Sequence, residues 1–379
     1  MGLIGLIGLM GLISCSEEVE QGCSEEVEQP AKPQVTVKLL PYMPDYMDAA
    51  MTRAWTPPEG YSLVAGSENK SIGIFFTKDG EDPKKGYFVY QRSEDKWLTS
   101  VEIGSADTYY LYGYYPHTSN ISSSIAPGAE SKYSNGAVMS INNLPTVTTN
   151  DFCVVVGAKN GKDDYNADPA VSYEVENLAN GDFEYRAEAT GEGGGSNYVF
   201  LLFDHLYSAL QIRFKVDAEY STLRTIKLKS LQLQTYTESG VNKKRCNATV
   251  TLEKTTGLAN VVFAGRGEDE SPTTFYEPDE PVTLTTSYSD YKCCFMPQGV
   301  TKLALISTYD IYDNNPSEGH PEGNLIRKNQ TARNEIDMSK LETRLTAQKG
   351  TRYTINLTIL PTYLYMMSDD DLINPTIEE

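Results

Sequence analysis

The strongest constraint on the fold is a series of short runs in which apolar residues occupy alternate positions. One run places Leu210, Ile212, Phe214 and Val216 on one side, and the run at residues 353–359 repeats the pattern. A period of two is typical of β-strands with one buried face. Helix signals are nearly absent, and Val, Thr and 26 Tyr fill the runs between turn residues. The chain is therefore predicted to be all-β, and its many short strands favour β-sandwiches.

Other candidate strands share this composition and are bounded by turn residues. They lie at residues 34–40, 71–77, 87–90, 96–98, 107–116, 150–156, 198–216, 226–233, 248–252 and 303–306. The run at 107–116 carries tyrosines on both faces, and we interpret it as a core strand in preference to a sugar-stacking platform. The polar, Gly-rich stretch at 159–196 is the best domain boundary.

The N-terminus has the features of a targeting leader. Residues 2–14 are Gly, Leu, Ile, Met and one Ser, a length suited to secretion and too short to cross a bilayer as a helix. No basic residue precedes this run, which leaves the true start open. The sequence Leu-Ile-Ser-Cys at 12–15 has the form of a bacterial lipobox and predicts lipidation of Cys15. The acidic repeats at 15–21 and 23–29 then form a tether, in which we interpret Cys23 as a product of duplication.

Charge and motifs exclude several classes of function. The formal net charge of −20 repels phosphate backbones, so no nucleic-acid partner is expected. The sequence contains no Gly-x-Ser-x-Gly elbow, no His-Glu-x-x-His and no Walker loop. His205 lies within an apolar run, which favours a structural, hydrogen-bonded histidine. We therefore predict no enzymatic activity, no catalytic residues and no cofactor.

The cysteines carry no metal or redox motif. No Cys-x-x-Cys pair occurs, so no metal site is predicted. Cys153, Cys246, Cys293 and Cys294 are expected to be buried free thiols, although one disulfide stays open as an alternative. Cys293 and Cys294 are neighbours in a strand-like run and should point to opposite faces.

An isolated basic residue separates the first candidate strand from the remainder of the chain. A cut between Arg53 and Ala54 would remove the lipid signal together with the strand at 34–40. Val35, Val37 and Leu39 form one apolar face of that strand by alternation. Its removal would open an apolar groove flanked by unpaired backbone groups, which a strand from another subunit can fill.

The C-terminal tail offers a candidate donor for such a groove. Tyr363, Tyr365 and Met367 form one face of the tail, and Leu364 and Met366 form the other. Either face could enter the groove. Head-to-tail exchange of this kind is a heterologous contact that need not close, and it produces a filament.

The order of these features resembles the fimbrillin family, the type V pilins and related lipoproteins of Bacteroidales. The resemblance rests on residues 12–15, 52–54, 71–75, 114–116, 203–205, 208–210, 295–298, 349–359 and 374–375. The acidic run after Cys15 is also similar to the surface-export signal of Bacteroidetes lipoproteins. The family implies two tandem transthyretin-like β-sandwich domains, cleavage by an arginine-specific protease and assembly by strand exchange.

The resemblance and the sequence pattern together predict five segments. They are a lipoprotein signal peptide at 1–15, a tether and removable strand at 16–53, β-sandwich domains at 54–196 and 197–361, and a donor tail at 362–379. The expected partners are other copies or related pilins, the protease, the outer-membrane lipid anchor and a host or bacterial surface ligand. The alternatives are an uncleaved lipid-anchored anchor or tip adhesin, and a glycan-binding surface lipoprotein that uses the tyrosines at 109–115.

Overall fold

The structure is a computed structural model that describes most of the chain between residues 34 and 360. The described ranges are 34–35, 37–42, 47–48, 71–91, 96–99, 101–104, 107–160, 181–187, 197–254, 260–314, 319, 323–341 and 346–360. Strands dominate these ranges, which confirms the predicted all-β class. Within them the single α-helix is α1 (Ala218–Leu223), capped by Asp217, whose carboxylate accepts from two backbone N–H groups of the first turn. No helix in these ranges has the length and apolar character that a membrane span requires.

The largest sheet closes on itself. It contains seven of the described strands, which are β2 (Val37–Tyr42), β4 (Ser71–Thr77), β5 (Lys84–Gln91), β6 (Lys96–Thr99), β8 (Thr108–Tyr115), β12 (Cys153–Asn160) and β14 (Asn197–His205). They pair in the ring order β12–β14–β2–β6–β5–β4–β8, and β8 pairs again with β12. β13 (Glu184–Arg186) also pairs with β8, and β1 (Gln34–Val35) pairs with β7 (Ile103–Gly104). We refer to the ring as the barrel.

A second sheet covers part of the barrel's outer surface. It contains β9 (Ser122–Pro127), β10 (Gly136–Pro145), β18 (Arg245–Glu253) and β19 (Asn260–Arg266). Phe76 and Phe203 belong to the core inside the barrel, whereas Tyr112 and Val154 pack outward against residues of the second sheet such as Val250. Alternate residues of β8 and β12 thus serve two different cores, because successive side chains of a strand point to opposite faces.

The C-terminal half supplies most of a β-sandwich with its own core. One of its sheets contains β3 (Met47–Asp48), β11 (Val147–Thr148), β15 (Ser208–Val216), β22 (Ser289–Phe295) and β25 (Thr351–Ile359). The other contains β16 (Arg224–Thr237), β17 (Gly240–Val241), β20 (Thr273–Tyr276), β21 (Val282–Thr283), β23 (Val300–Asp313) and β24 (Leu325–Asp337). Ile212, Phe295 and Leu305 lie in the apolar core between these sheets.

The sheets combine strands from distant parts of the chain. β14 belongs to the barrel, and β15, which follows it after Leu206 and Tyr207, belongs to the sandwich. β18, from the C-terminal half, pairs with β10, so that Gly136 lies opposite Glu253. The division into domains at 54–196 and 197–361 stays a prediction.

Several local predictions can be compared directly with the structure. The predicted strand at 71–77 coincides with β4, and the run at 353–359 lies within β25. The tyrosines at positions 109, 112, 114 and 115 are buried, so the run offers no exposed aromatic cluster for stacking on a sugar. The four cysteines predicted to be buried are buried and form no disulfide in the described residues, and Cys293 and Cys294 lie in different cores.

A close approach of two barrel strands gives the first testable prediction. A Cβ atom at Gly113 would lie 2.5 Å from the carbonyl oxygen of Gly73, so Gly113→Ala forces backbone atoms apart. We expect this substitution to lower the free energy of unfolding by about 1–3 kcal/mol. Gly265→Ala is the matched control, because the added Cβ meets only the flexible side chain of Lys243. Urea unfolding of both variants checks the prediction, and equal stabilities would contradict it.

Candidate functional site

The first described segment of the chain contributes strands to three sheets, because β1 pairs with β7, β2 lies in the barrel and β3 lies in the sandwich. β2 lies between β14 and β6 in the wall of the barrel. It runs parallel to β14, from Val37 opposite Asn197 to Tyr42 opposite Leu202, and antiparallel to β6. β2 is therefore one of the strands that closes the barrel.

The strand that borders β2 carries buried apolar side chains on both faces. Val199 and Leu201 of β14 are fully buried and belong to the barrel core. Leu202, the next residue, is also buried but belongs to the core between the barrel and the second sheet. β2 thus occupies a position that borders two apolar cores. We refer to this position as the first-strand groove.

The same segment continues onto the sandwich. β3 pairs in parallel with the start of β25, with Met47 opposite Thr351 and Asp48 opposite Arg352. On its other side β25 pairs with β15 over eight register positions. Residues 34–48 therefore contribute strands to both the barrel and the sandwich. A two-residue strand such as β3 has no alternation to detect, so sequence reasoning missed it.

The predicted site residues fall partly within the described residues. Val35 lies in β1, and Val37 and Leu39 lie in β2. Cys15, Arg53, Ala54 and the tail residues Tyr363, Leu364, Tyr365, Met366 and Met367 lie outside the described residues. Lipidation, cleavage and the donor role of the tail thus stay predictions.

A second feature is a compact cluster of Asp151, Cys153 and His205. Cys153, the first residue of β12, lies directly opposite His205, the last residue of β14. The Cys153 Sγ atom is 3.5 Å from His205 Nδ1, which lies 2.9 Å from one carboxylate oxygen of Asp151 and 3.1 Å from the other. The side chains of Cys153 and His205 are buried, whereas that of Asp151 is 13% exposed.

The cluster does not have the geometry of a catalytic relay. In a nucleophile–histidine–acid triad the imidazole bridges its two partners through different ring nitrogens. Here the thiol and the carboxylate both approach Nδ1 of His205. Burial raises the pKa of Cys153 well above its usual value, and the nearby Asp151 carboxylate raises it further, which disfavours the thiolate. The cluster therefore lacks an activated nucleophile.

Sequence reasoning did not identify this cluster. His205 was predicted to be structural and Cys153 a buried thiol, and neither was connected with Asp151. His205 is 52 positions from Cys153 and 54 from Asp151, and no short motif joins them. Only the pairing of β12 with β14 brings the three side chains together.

Comparison with known proteins gives structural matches only. No family model and no curated protein matches the chain. A candidate cell adhesion protein from Bacteroides uniformis matches 88% of this chain and 95% of its own, with 14% identity and a TM-score of 0.34. A fimbrial protein from Bacteroides vulgatus matches 87% of this chain and 96% of its own, with 12% identity and a TM-score of 0.37.

Proposed function

We propose that the protein is a structural subunit of a cell-surface fimbria, exported as a lipoprotein, cut after Arg53 and polymerised by strand exchange. One observation carries the proposal: β2, which precedes the cut, is an integral strand of the closed barrel. A segment that acted only as a tether would not need to pair with strands on both of its sides.

Removal of β2 would create the kind of edge that binds another strand. β14 would lose six register partners and β6 would lose two. β14 would stay paired with β12, but its edge toward β2 would carry unpaired backbone groups beside the buried Leu201 and Leu202. Exposed strand edges of this type associate with other chains unless they are covered, and β-augmentation covers them.

The tail of a neighbouring subunit is the proposed occupant of the first-strand groove. Successive side chains of an extended strand point to opposite faces, and both faces of residues 363–367 carry apolar side chains that could enter the groove. Burial of one such face contributes several kcal/mol at about 25 cal/mol per Å², and the backbone ladder adds to this. Since the tail follows β25 of the sandwich in sequence, whereas the groove lies in the barrel, the proposed contact is heterologous and propagates into a filament.

The cut would also release the subunit from the membrane. The lipid predicted at Cys15 and the strands β1, β2 and β3 all precede Arg53. One cleavage would thus separate the lipid anchor from the rest of the subunit. It would also leave both the first-strand groove and the edge of β25 unoccupied. An anchor subunit, in contrast, must keep its lipid and would not be cut.

Processing is tested by N-terminal sequencing of the protein recovered from cells. We expect the wild-type protein to begin at Ala54. Arg53→Lys should keep the lipidated N-terminus in cells, because an arginine-specific protease rejects lysine, whereas trypsin should still cut the purified variant at this position. Arg266→Lys, on the exposed edge strand β19, is the matched control and should be processed normally. A lipidated Cys15 on all the wild-type protein would refute the cleavage and favour an uncleaved anchor or adhesin.

A further inference from the structure

We propose that Asp151, Cys153 and His205 form a binding site for a divalent metal ion of the zinc class. The three side chains offer one carboxylate oxygen, one sulfur and one ring nitrogen, and these ligand atoms all lie within 4.8 Å of one another. Zinc prefers nitrogen and sulfur ligands and also accepts carboxylate oxygen. Because a cysteine binds metal as the thiolate, binding of the ion would release the Cys153 thiol proton to solvent. The site is separate from the first-strand groove, and its existence does not depend on the proposed assembly.

The two ligand-atom distances that involve His205 are close to those of a tetrahedral site. Zinc bonds of about 2.3 Å to sulfur and about 2.0–2.1 Å to nitrogen place those two ligands about 3.6 Å apart. The distance between Cys153 Sγ and His205 Nδ1 is 3.5 Å. The Asp151 oxygens lie 2.9 and 3.1 Å from Nδ1, so the carboxylate must move outward by only about 0.3 Å to accommodate the ion.

The backbone holds the ligands in position. Cys153 and His205 are directly opposed residues of an antiparallel pair, an arrangement that brings side chains on one face close together. Leu206 follows the last residue of β14, and Phe152 lies between Asp151 and Cys153. The backbone N–H of Leu206 donates to the carbonyl of Phe152 at 2.7 Å, so the segment that carries these two ligands is bonded to the end of β14. Two ligands are thus held by barrel strands, and Asp151 is the one ligand whose side chain is partly exposed to solvent.

The site lies where the chain passes from the barrel to the sandwich. Just beyond His205, the hydroxyl of Ser208 donates to the carbonyl of Gln348 at 2.6 Å, and the N–H of Gly350 donates to the carbonyl of Tyr207 at 2.8 Å. An ion that binds β12 and β14 together at this point would stiffen the connection between the two bodies. Three protein ligands leave the fourth tetrahedral position to water.

The experiment uses the full chain carrying Cys15→Ser and Cys23→Ser, which removes the leader thiols, in reducing buffer. Zinc sulfate should bind with a stoichiometry of one and raise the unfolding temperature. Cobalt(II), added in its place, should produce a near-ultraviolet thiolate-to-metal charge-transfer band and intense visible bands of a tetrahedral site. Cys153→Ser should remove the charge-transfer band and weaken zinc binding by more than about 100-fold, since even outer-shell partners are worth about 10- to 100-fold.

Cys246→Ser is the matched control, because Cys246 is also buried and not disulfide-bonded but lies outside the cluster. This variant should keep both the cobalt bands and the zinc affinity. The cobalt spectrum of the parent chain is decisive even if Cys153→Ser does not fold. Absence of the thiolate band from the parent chain, or its persistence in a folded Cys153→Ser variant, would overturn the metal site.

Discussion

Deletion of residues 362–379 is expected to leave a folded monomer that no longer forms filaments. Every strand of the barrel and of the sandwich lies between Gln34 and Ile359 in the described residues, so the deletion removes none of them. Without the tail, the first-strand groove of one subunit receives no strand from the next. The expected loss of elongation is complete.

The measurement is electrophoresis of trypsin-cut protein on denaturing gels without boiling. The intact tail should give a ladder of stable oligomers, because full strand pairing makes dissociation slow. Val37→Asp is an informative contrast. Residue 37 lies in β2 and leaves with the first segment, so a charge there should destabilise the uncut precursor and not alter the ladder after cleavage.

Three outcomes are distinct. Ladders from the full-length protein and from Val37→Asp, with none from the truncation, support the tail as donor. Equal ladders from the full-length and truncated proteins would place the donor strand elsewhere in the chain. No ladder from any of them would contradict polymerisation and favour an anchor or adhesin.

Leu201→Ala is expected to weaken both the precursor and the filament. Leu201 is fully buried in β14, opposite Pro41 of β2, and belongs to the barrel core. Loss of a buried leucine side chain costs about 2–5 kcal/mol of unfolding free energy. Because β14 borders the groove whichever strand fills it, the cost should persist after strand exchange and lower the temperature at which ladders dissociate.

Leu233→Ala is the matched control for this prediction. Leu233 is equally buried but lies in β16, within the core of the sandwich. Its truncation should lower the free energy of unfolding by a similar amount and leave the ladder dissociation temperature unchanged. If both variants lower that temperature equally, the groove does not lie beside β14.

Many of the strands were predictable because alternation and short apolar runs are local properties of the sequence. The apolar run at 71–77 coincides with β4, and the alternating residues from Leu210 to Val216 lie in β15. The placement of Cys293 and Cys294 in different cores followed from the same reasoning, since adjacent residues of a strand face opposite sides. Strands without a strong pattern were missed: β24 is largely exposed and polar over its first six residues.

Strand partners and register were decided only by the tertiary structure. The sequence by itself determined an all-β chain, a candidate first strand at 34–40 and its separation from the body by Arg53. It did not determine that β2 pairs in parallel with β14, that β3 reaches β25, or that Asp151, Cys153 and His205 meet. The physical reason is that a strand's two faces are specified locally, whereas its neighbours depend on which distant apolar faces pack together and close the barrel.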